Sequence, residues 1–374
     1  MKIDKLEVFY HDRIVGTLAM TAAKKVAFEY HAEWLRTGFS ISPFSLPLKK
    51  QVFVPEKTYF GGLFGVFADS LPDAWGNLLL TRLMKEKGMD LANITMLERL
   101  AIVGNSGMGA LTYKPVIELT RQQELKNLDY LAEECGKILN TEYSQELDGL
   151  YRLGGTSGGA RPKIMTVIDE QPWIIKFSAK VDSVDIGKME YEYSQCAKEC
   201  GILMSDTKLF PSKKCKGYFG TRRFDIEDGN RIHMLTVAAL LELDFEQPSL
   251  DYSALMKLTK ILTNDNTLEL ENMYRRMCFN VFAHNRDDHS KNFSYLYNEE
   301  KDQWSLSPAY DLTYSNTYFG EHTTSVDGNG AMKLVTDLTN HRVLKFYENA
   351  NETLAWYGVE QQIKKQVTRQ YRHF

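Results

Sequence analysis

The sequence has little that could staple, anchor or polarise it. Only five cysteines occur in 374 residues (Cys135, Cys196, Cys200, Cys215 and Cys278), odd in number and scattered. Cys196 and Cys200 share a helix face, but no second pair completes a zinc site. Five reduced thiols in a cytoplasmic protein are therefore expected. No apolar run reaches the roughly 18 residues of a helical membrane span, so no membrane association is expected. The N-terminus alternates charge with apolar residues and does not read as a signal peptide. Positive charge is not in excess: 45 Lys and Arg against 49 Asp and Glu leave a net charge of −4. No global basic field argues for nucleic-acid binding by this chain alone. Internal repeats and low-complexity segments are missing too. What remains is a soluble globular profile, 43% hydrophobic and 25% charged, long enough for two or three domains.

The opening reads as a small antiparallel sheet. Residues 3–10 alternate as a strand, His11-Asp12-Arg13 turns, residues 14–18 return, and residues 27–30 are a third strand. A helix is expected near Pro72, capped by Asp69 or Ser70, with Trp75, Leu78, Leu79 and Leu83 on its apolar face. Residues 91–103 read as a further helix ended by Gly104, and residues 110–113 as a short strand. Residues 119–148 are charged with a helical period and read as a connector.

Next comes Gly154-Gly155-Thr156-Ser157-Gly158-Gly159-Ala160-Arg161-Pro162-Lys163, then a strand. Glycines and hydroxyls in that order suit a loop whose N–H groups face an anion. It is not a Walker A loop, because the Gly-Lys-Ser/Thr ending and the following helix are missing. An ordinary flexible surface loop is the alternative. Lys176 ends an apolar strand, where an ammonium either snorkels to solvent or meets a buried anion. Glu190, on a helix expected over 189–200, is the chosen partner, ahead of Glu192 and Glu199. Strands at 208–210 and 218–221 extend the sheet, and Arg222-Arg223-Phe224 leads out of it. From His233 on, the apolar period is helical.

The organising stretch is Asn285-Arg286-Asp287-Asp288-His289-Ser290-Lys291-Asn292-Phe293, followed by Tyr310-Asp311. An acid, an Asn five residues later, and a second acid beyond a short hairpin form the layout of a phosphoryl-transfer site. The first carboxylate orients or deprotonates the acceptor hydroxyl. The Asn and the second acid offer oxygen to Mg²⁺, which takes few protein ligands and keeps phosphates and waters. A solvated acidic turn is the alternative, but aromatic residues close both ends of the stretch.

These residues resemble the HipA-type toxin kinases of bacterial toxin–antitoxin pairs. The resemblance rests on residues 64–80, on Gly107-Met108-Gly109-Ala110-Leu111, and on most of 150–325. Its most specific parts are 154–163 and Asp287, His289 and Asn292 with Tyr310-Asp311. It implies an α+β, two-lobed kinase-like fold with a phosphoinositide-kinase-like core, a small N-terminal β-sheet and helix subdomain, and an all-helical C-terminal lobe. The corresponding division is 1–115, a connector at 116–148, a small lobe at 149–228 and a catalytic lobe at 229–374. It implies ATP and Mg²⁺, with Asp287 as base and Asn292 and Asp311 on the metal. Gly158, Gly159, Ala160, Arg161, Pro162, Lys163, Lys176, Arg222, Arg223, Phe224, His289, Ser290, Lys291, Asn292, Tyr310 and Asp311 would surround the nucleotide. Thr156 aligns with the family's autophosphorylated position, and Ser157 sits beside it.

The resemblance also implies a HipB-like helix-turn-helix antitoxin as partner, with operator DNA reached only through it. A translation component would be the phosphorylated substrate, glutamyl-tRNA synthetase being a known type of target among aminoacyl-tRNA synthetases. The sequence departs from the family at Arg222, where some members have an acid, and in the tail from about Gly330, which carries no recognised motif. Two other readings stay open. One is a small-molecule phosphotransferase. The other is a nucleotide-binding corepressor that acts with a DNA-binding antitoxin.

Overall fold

The computed structural model describes residues 3–120, 127–244, 246–247, 249–315, 321–331 and 350–370. The chain forms two compact units: one of residues 1–189, 206–235 and 239–242, the other of 190–205, 236–238 and 243–374.

The first unit holds two antiparallel sheets. Strands β1 (Lys5–Tyr10), β2 (Arg13–Met20), β3 (Val26–Tyr30), β4 (Val52–Phe53) and β5 (Leu111–Lys114) pair in the order β4-β3-β2-β1-β5. The alternation read at 3–10 is real: Leu6, Val8 and Tyr10 are buried, Lys5 and Glu7 are exposed and Phe9 is half-buried. Helices α1 (Trp34–Thr37), α2 (Gly65–Ala68), α3 (Ala74–Glu86) and α4 (Met96–Val103) fall between β3 and β5. Helix α4 starts with a capping box, in which the Thr95 hydroxyl accepts from the Glu98 N–H and the Glu98 carboxylate accepts from the Thr95 N–H.

Helices α5 (Leu128–Leu139) and α6 (Leu147–Gly154) follow, then β6 (Lys163–Ile168) and β7 (Gln171–Lys176). The segment expected as a helical connector, 116–148, contributes α5 to the core of the unit. Leu131, Cys135 and Ile138 of α5 and Leu150 of α6 join Trp75, Leu79 and Leu83 of α3 and Ile164 and Ile175 of the strands in one core. Apolar residues at that spacing give α5 a face that is stable only when covered. Each such buried Leu or Ile is worth about 1.5–3 kcal/mol. The sheet below is completed by β8 (Thr207–Phe210) and β9 (Tyr218–Arg222), in the order β6-β7-β9-β8. A two-residue-a-side hairpin, β10 (Ile226–Glu227) with β11 (Asn230–Arg231), turns at Asp228-Gly229, both with positive φ.

Helix α7 (Ile186–Glu199) enters the second unit at Glu190. The helical reading from His233 is corrected at its start: His233–Thr236 is strand β12, and the short helix α8 (Val237–Leu240) follows. Helices α9 (Tyr252–Leu262) and α10 (Thr267–Phe282) lie where expected, capped by Asp251 and Asn266. The second unit is not wholly helical. It carries the hairpin β13 (Ser294–Asn298) with β14 (Gln303–Leu306), and the hairpin β15 (Glu321–Val326) with β16 (Asn329–Ala331). The stretch from Gly330, silent in the sequence, contributes α11 (Ala350–Gln370), which packs on α10. Ile363 and Val367 are buried, the Tyr274 hydroxyl donates to Glu360 at 3.4 Å, and the Lys364 ammonium lies over the Phe282 ring. All five cysteines are free thiols. Among the described residues, no helix is long and apolar enough to cross a membrane.

Candidate active site

In the first unit the glycine-rich stretch begins as a helix end. Gly154 is the last residue of α6 and Gly155 its cap, so the loop proper is shorter than the sequence suggests. The loop is pinned to the start of α3. That helix begins at Ala74 behind Asp73, not behind Asp69 or Ser70, and Asp73 makes no side-chain bond to its own helix. Its carboxylate instead accepts the Gly159 N–H at 2.9 Å, while the Trp75 N–H donates to the Gly159 carbonyl at 3.2 Å. A Cβ on Gly76 would stand 1.9 Å from the Gly155 carbonyl oxygen, so only glycine lets helix and loop meet this closely. Both hydroxyls face inward. Thr156 donates to the Ser106 carbonyl at 2.6 Å and Ser157 to the Gly154 carbonyl at 2.7 Å.

Lys163 and Lys176 are buried and are direct cross-strand partners on β6 and β7. Two side chains in that register leave the sheet on the same face, and like charges placed so repel unless an anion answers them. The Lys176 ammonium also lies 5.4 Å from the centre of the Phe219 ring. Arg161 is bonded to Asp182 at 3.0 Å. The Arg222 and Arg223 N–H groups are spent on the Asp206 and Pro172 carbonyls. The Arg223 guanidinium lies on Asp225. Neither residue keeps a backbone donor for a base.

In the second unit α10 delivers the chain to residues 285–293. His284 has positive φ, which turns the backbone out of the helix. Burial, then Arg286 and His322, holds the His284 imidazole below its usual range. The two neighbouring acids have opposite surroundings. Asp288 is fully enclosed. Its carboxylate accepts from the Tyr252 hydroxyl at 2.8 Å and the Thr324 N–H at 3.0 Å, and lies 3.0 Å from His322 Nδ1. The Thr324 hydroxyl donates to its carbonyl. Asp287 has a side chain 63% exposed. Its N–H donates to the Ser315 hydroxyl at 2.9 Å, and its carbonyl accepts the Asn292 amide at 2.6 Å.

That last bond orients Asn292. With Nδ2 on a carbonyl, Oδ1 is the atom left for a hard cation. His289 Nδ1 accepts the Lys291 N–H at 3.2 Å, so Nε2 carries the proton in the neutral ring, 3.8 Å from Asp287. Ser290 is buried within the short turn Ser290–Asn292. The Tyr310 hydroxyl donates to the Lys291 carbonyl at 2.6 Å, which ties the second acidic segment to the loop. Asp311 is held at φ 51°, a left-handed conformation that Asp tolerates better than most residues. Among the described residues no three His, Cys, Asp or Glu side chains cluster as a metal site. A cation held by one carboxylate and one amide would be Mg²⁺-like, completed by phosphates and waters. Glu190 is buried on α7 in this unit.

Sequence reasoning found the loop but missed its braces. Tyr252, Ser315, His322, Thr323 and Thr324 hold it from 25 or more residues away, and no local motif marks them. The Thr323 hydroxyl and N–H both donate to the Arg286 carbonyl.

Family models for the HipA N-terminal domain and the HipA-like C-terminal domain match residues 6–114 and 155–373. The chain belongs to the HipA family. The second match includes the tail that carried no motif. No curated protein sequence matches. Among solved structures, HipA from Shewanella oneidensis MR-1, in a complex with HipB and its operator DNA, is similar with a TM-score of 0.66 and 17% identity, over 97% of both chains. That likeness establishes the HipA fold, mixed α and β in two units. The proinflammatory kinase CtkA of Helicobacter pylori aligns over 56% of this chain and 90% of its own, with a TM-score of 0.39 and 11% identity, too distant to carry weight.

Proposed function

We propose that this HipA-family chain is an ATP- and Mg²⁺-dependent protein serine/threonine kinase, the toxin of a toxin–antitoxin pair. The observation that carries the reading is the division of labour between adjacent acids. Asp288 is consumed by the fold, whereas Asp287 stays open to solvent, with Asn292 tied to its carbonyl. A base must reach an incoming hydroxyl, and only Asp287 of the two can do so.

In the proposed reaction the Asp287 carboxylate takes the proton of a Ser or Thr hydroxyl. That oxygen bonds to the γ-phosphorus as the bond to the β–γ bridging oxygen breaks, and ADP leaves. Asn292 Oδ1 and the Asp311 carboxylate are the oxygens offered to Mg²⁺, which when bound neutralises phosphate charge. Lys163 and Lys176 supply the paired ammonium groups for the phosphates, and the Gly158–Gly159 backbone lies beside them in sequence. His289, Ser290, Lys291 and Tyr310 complete the nucleotide side of the catalytic loop. Glu190 is the proposed orienting partner of Lys176.

The partner we propose is a HipB-like helix-turn-helix antitoxin, which brings operator DNA with it. The support is the similarity to a HipA solved with HipB and DNA. The substrate we propose is a translation protein of the aminoacyl-tRNA synthetase class. Control by phosphorylation of Thr156 or Ser157 requires the loop to leave its present arrangement, because both hydroxyls are bonded inward.

Transfer of labelled γ-phosphate from ATP to protein, with and without Mg²⁺, tests the activity. Transfer by the native chain and none by Asp287→Asn is expected. Equal transfer by both would remove Asp287 from the role, and none by either would remove the kinase reading.

A further inference from the structure

Among the described residues, the Asp287 carboxylate takes no hydrogen bond, and His289 Nε2 stands 3.8 Å away. Where that carboxylate points is therefore set by its backbone. Residues 285–289 belong to no helix or strand, so no ladder places this backbone either. Side-chain hydroxyls and one amide do so instead. The Ser315 hydroxyl accepts the Arg286 N–H at 2.6 Å and the Asp287 N–H at 2.9 Å. The three successive carbonyls of 286–288 are all taken. Thr323 donates to that of Arg286 through its hydroxyl at 2.9 Å and its N–H at 3.1 Å. The Asn292 amide donates to that of Asp287, and the Thr324 hydroxyl to that of Asp288. Thr323 and Thr324 thus hold the chain on both sides of Asp287. Their strand is itself fixed. Next along β15, Ser325 donates its N–H to the Leu250 carbonyl at 3.0 Å and its hydroxyl to the Asp251 carboxylate at 2.6 Å, and Asp251 also caps α9.

We propose that Thr323 and Thr324 are positioning residues for phosphate transfer. By holding the carbonyls before and after Asp287, their hydroxyls fix where its carboxylate meets the incoming hydroxyl. A base works only within hydrogen-bond reach of the proton it takes, and a misplacement of about 1 Å can cost on the order of 10²-fold. A β-branched residue suits β15 whether it is Thr or Val, so the hydroxyls are what the loop requires. This role rests on the reading of Asp287 as the base.

The test compares full-length Thr323→Val and Thr324→Val with Thr323→Ser and Thr324→Ser, in γ-phosphate transfer to casein at varied ATP. Each Val variant should lose about ten- to hundredfold in kcat with KM for ATP unchanged, and each Ser variant should recover most of it. Thr263→Val is the control. It loses a buried hydroxyl bonded at 2.8 Å to the Thr259 carbonyl in the same unit, and should keep native kcat. Thr323→Val keeps the Thr323 N–H on the Arg286 carbonyl, so it serves if Thr324→Val fails to fold. Hydrogen exchange without ATP is a second readout that needs no catalysis. Residues 286–288 should exchange faster in the Val variants and as in the native chain in the Ser ones. Native kcat in the folded Val variants, an equal loss in Thr263→Val, no recovery with Ser, or native exchange in the Val variants overturns the proposal. If the native chain transfers no phosphate, the kinase reading falls and this role with it. If it transfers and the Val variants match it, this role alone falls.

Discussion

The carboxylate of Asp73 sits 2.9 Å from the backbone nitrogen of Gly159. A side chain from the N-terminal segment therefore takes a loop N–H that the sequence assigned to a nucleotide. It is a charge-assisted bond, and in this structure it holds the glycine-rich loop against α3.

Asp73→Ala should release that N–H. A bond of this kind is worth roughly 1.5–3 kcal/mol, partly screened here by solvent, so we expect Mg²⁺-ATP to bind about three- to tenfold more tightly. Calorimetry with a non-hydrolysable ATP analogue measures it. Weaker binding in the variant would show that Asp73 preforms the loop and does not compete for it.

Substitutions at the paired acids should separate chemistry from stability. Asp287→Asn should cut phosphate transfer by on the order of 10²–10⁴-fold while melting and nucleotide affinity stay near native. Asp288→Ala strands the donors of Tyr252 and Thr324 in the interior and should cost about 2–4 kcal/mol of stability. Chemical denaturation and the phosphotransfer assay together decide it. The assignment fails if Asp288→Ala is as stable as the native chain.

Asp311→Ala should lose the Mg²⁺-dependent part of ATP affinity, because one of two proposed oxygen ligands is gone. Affinity measured with and without Mg²⁺ is the readout, and an unchanged Mg²⁺ effect would remove Asp311 from the metal.

Stability should fall with acid through His233. This ring is buried between Tyr10 and Phe39, bonded through Nε2 to the Ile41 carbonyl at 2.8 Å, and burial lowers its pKa to about 4. A depressed base means that the unfolded chain binds more protons between pH 6.5 and 4. Its contribution is complete above about 6.5 and is lost as pH falls toward 4, on the order of 3 kcal/mol. Melting curves over that window should flatten in His233→Gln. A variant with the native pH slope would assign the effect to another group.

What could be read from the sequence follows the range of the forces involved. The first three strands showed themselves by alternation, and α9 and α10 by period and caps. The loop at 287–292 showed itself by residue type and spacing. The enclosure of Asp288 did not, because Tyr252, His322 and Thr324 lie 34 to 36 residues from it. The true start of α3 was hidden for a related reason: Asp73 looks like a cap but spends its carboxylate on a distant loop. Strand β12 was read as helix because its few residues continue the apolar run that follows. The helical period around α5 was legible, but its place in the core was not, because the partners of its apolar stripe lie on neighbouring elements.

The packing of α11 on α10 has a consequence for synthesis. One face of the helix that leads into residues 285–293 is covered by residues 360–367, made some seventy positions later. During translation the Tyr274 and Phe282 side of α10 stays bare until that stretch leaves the ribosome. Residues 285–293, the loop proposed as catalytic, should therefore gain their last support late, and the proposed activity would arrive late in the making of the chain.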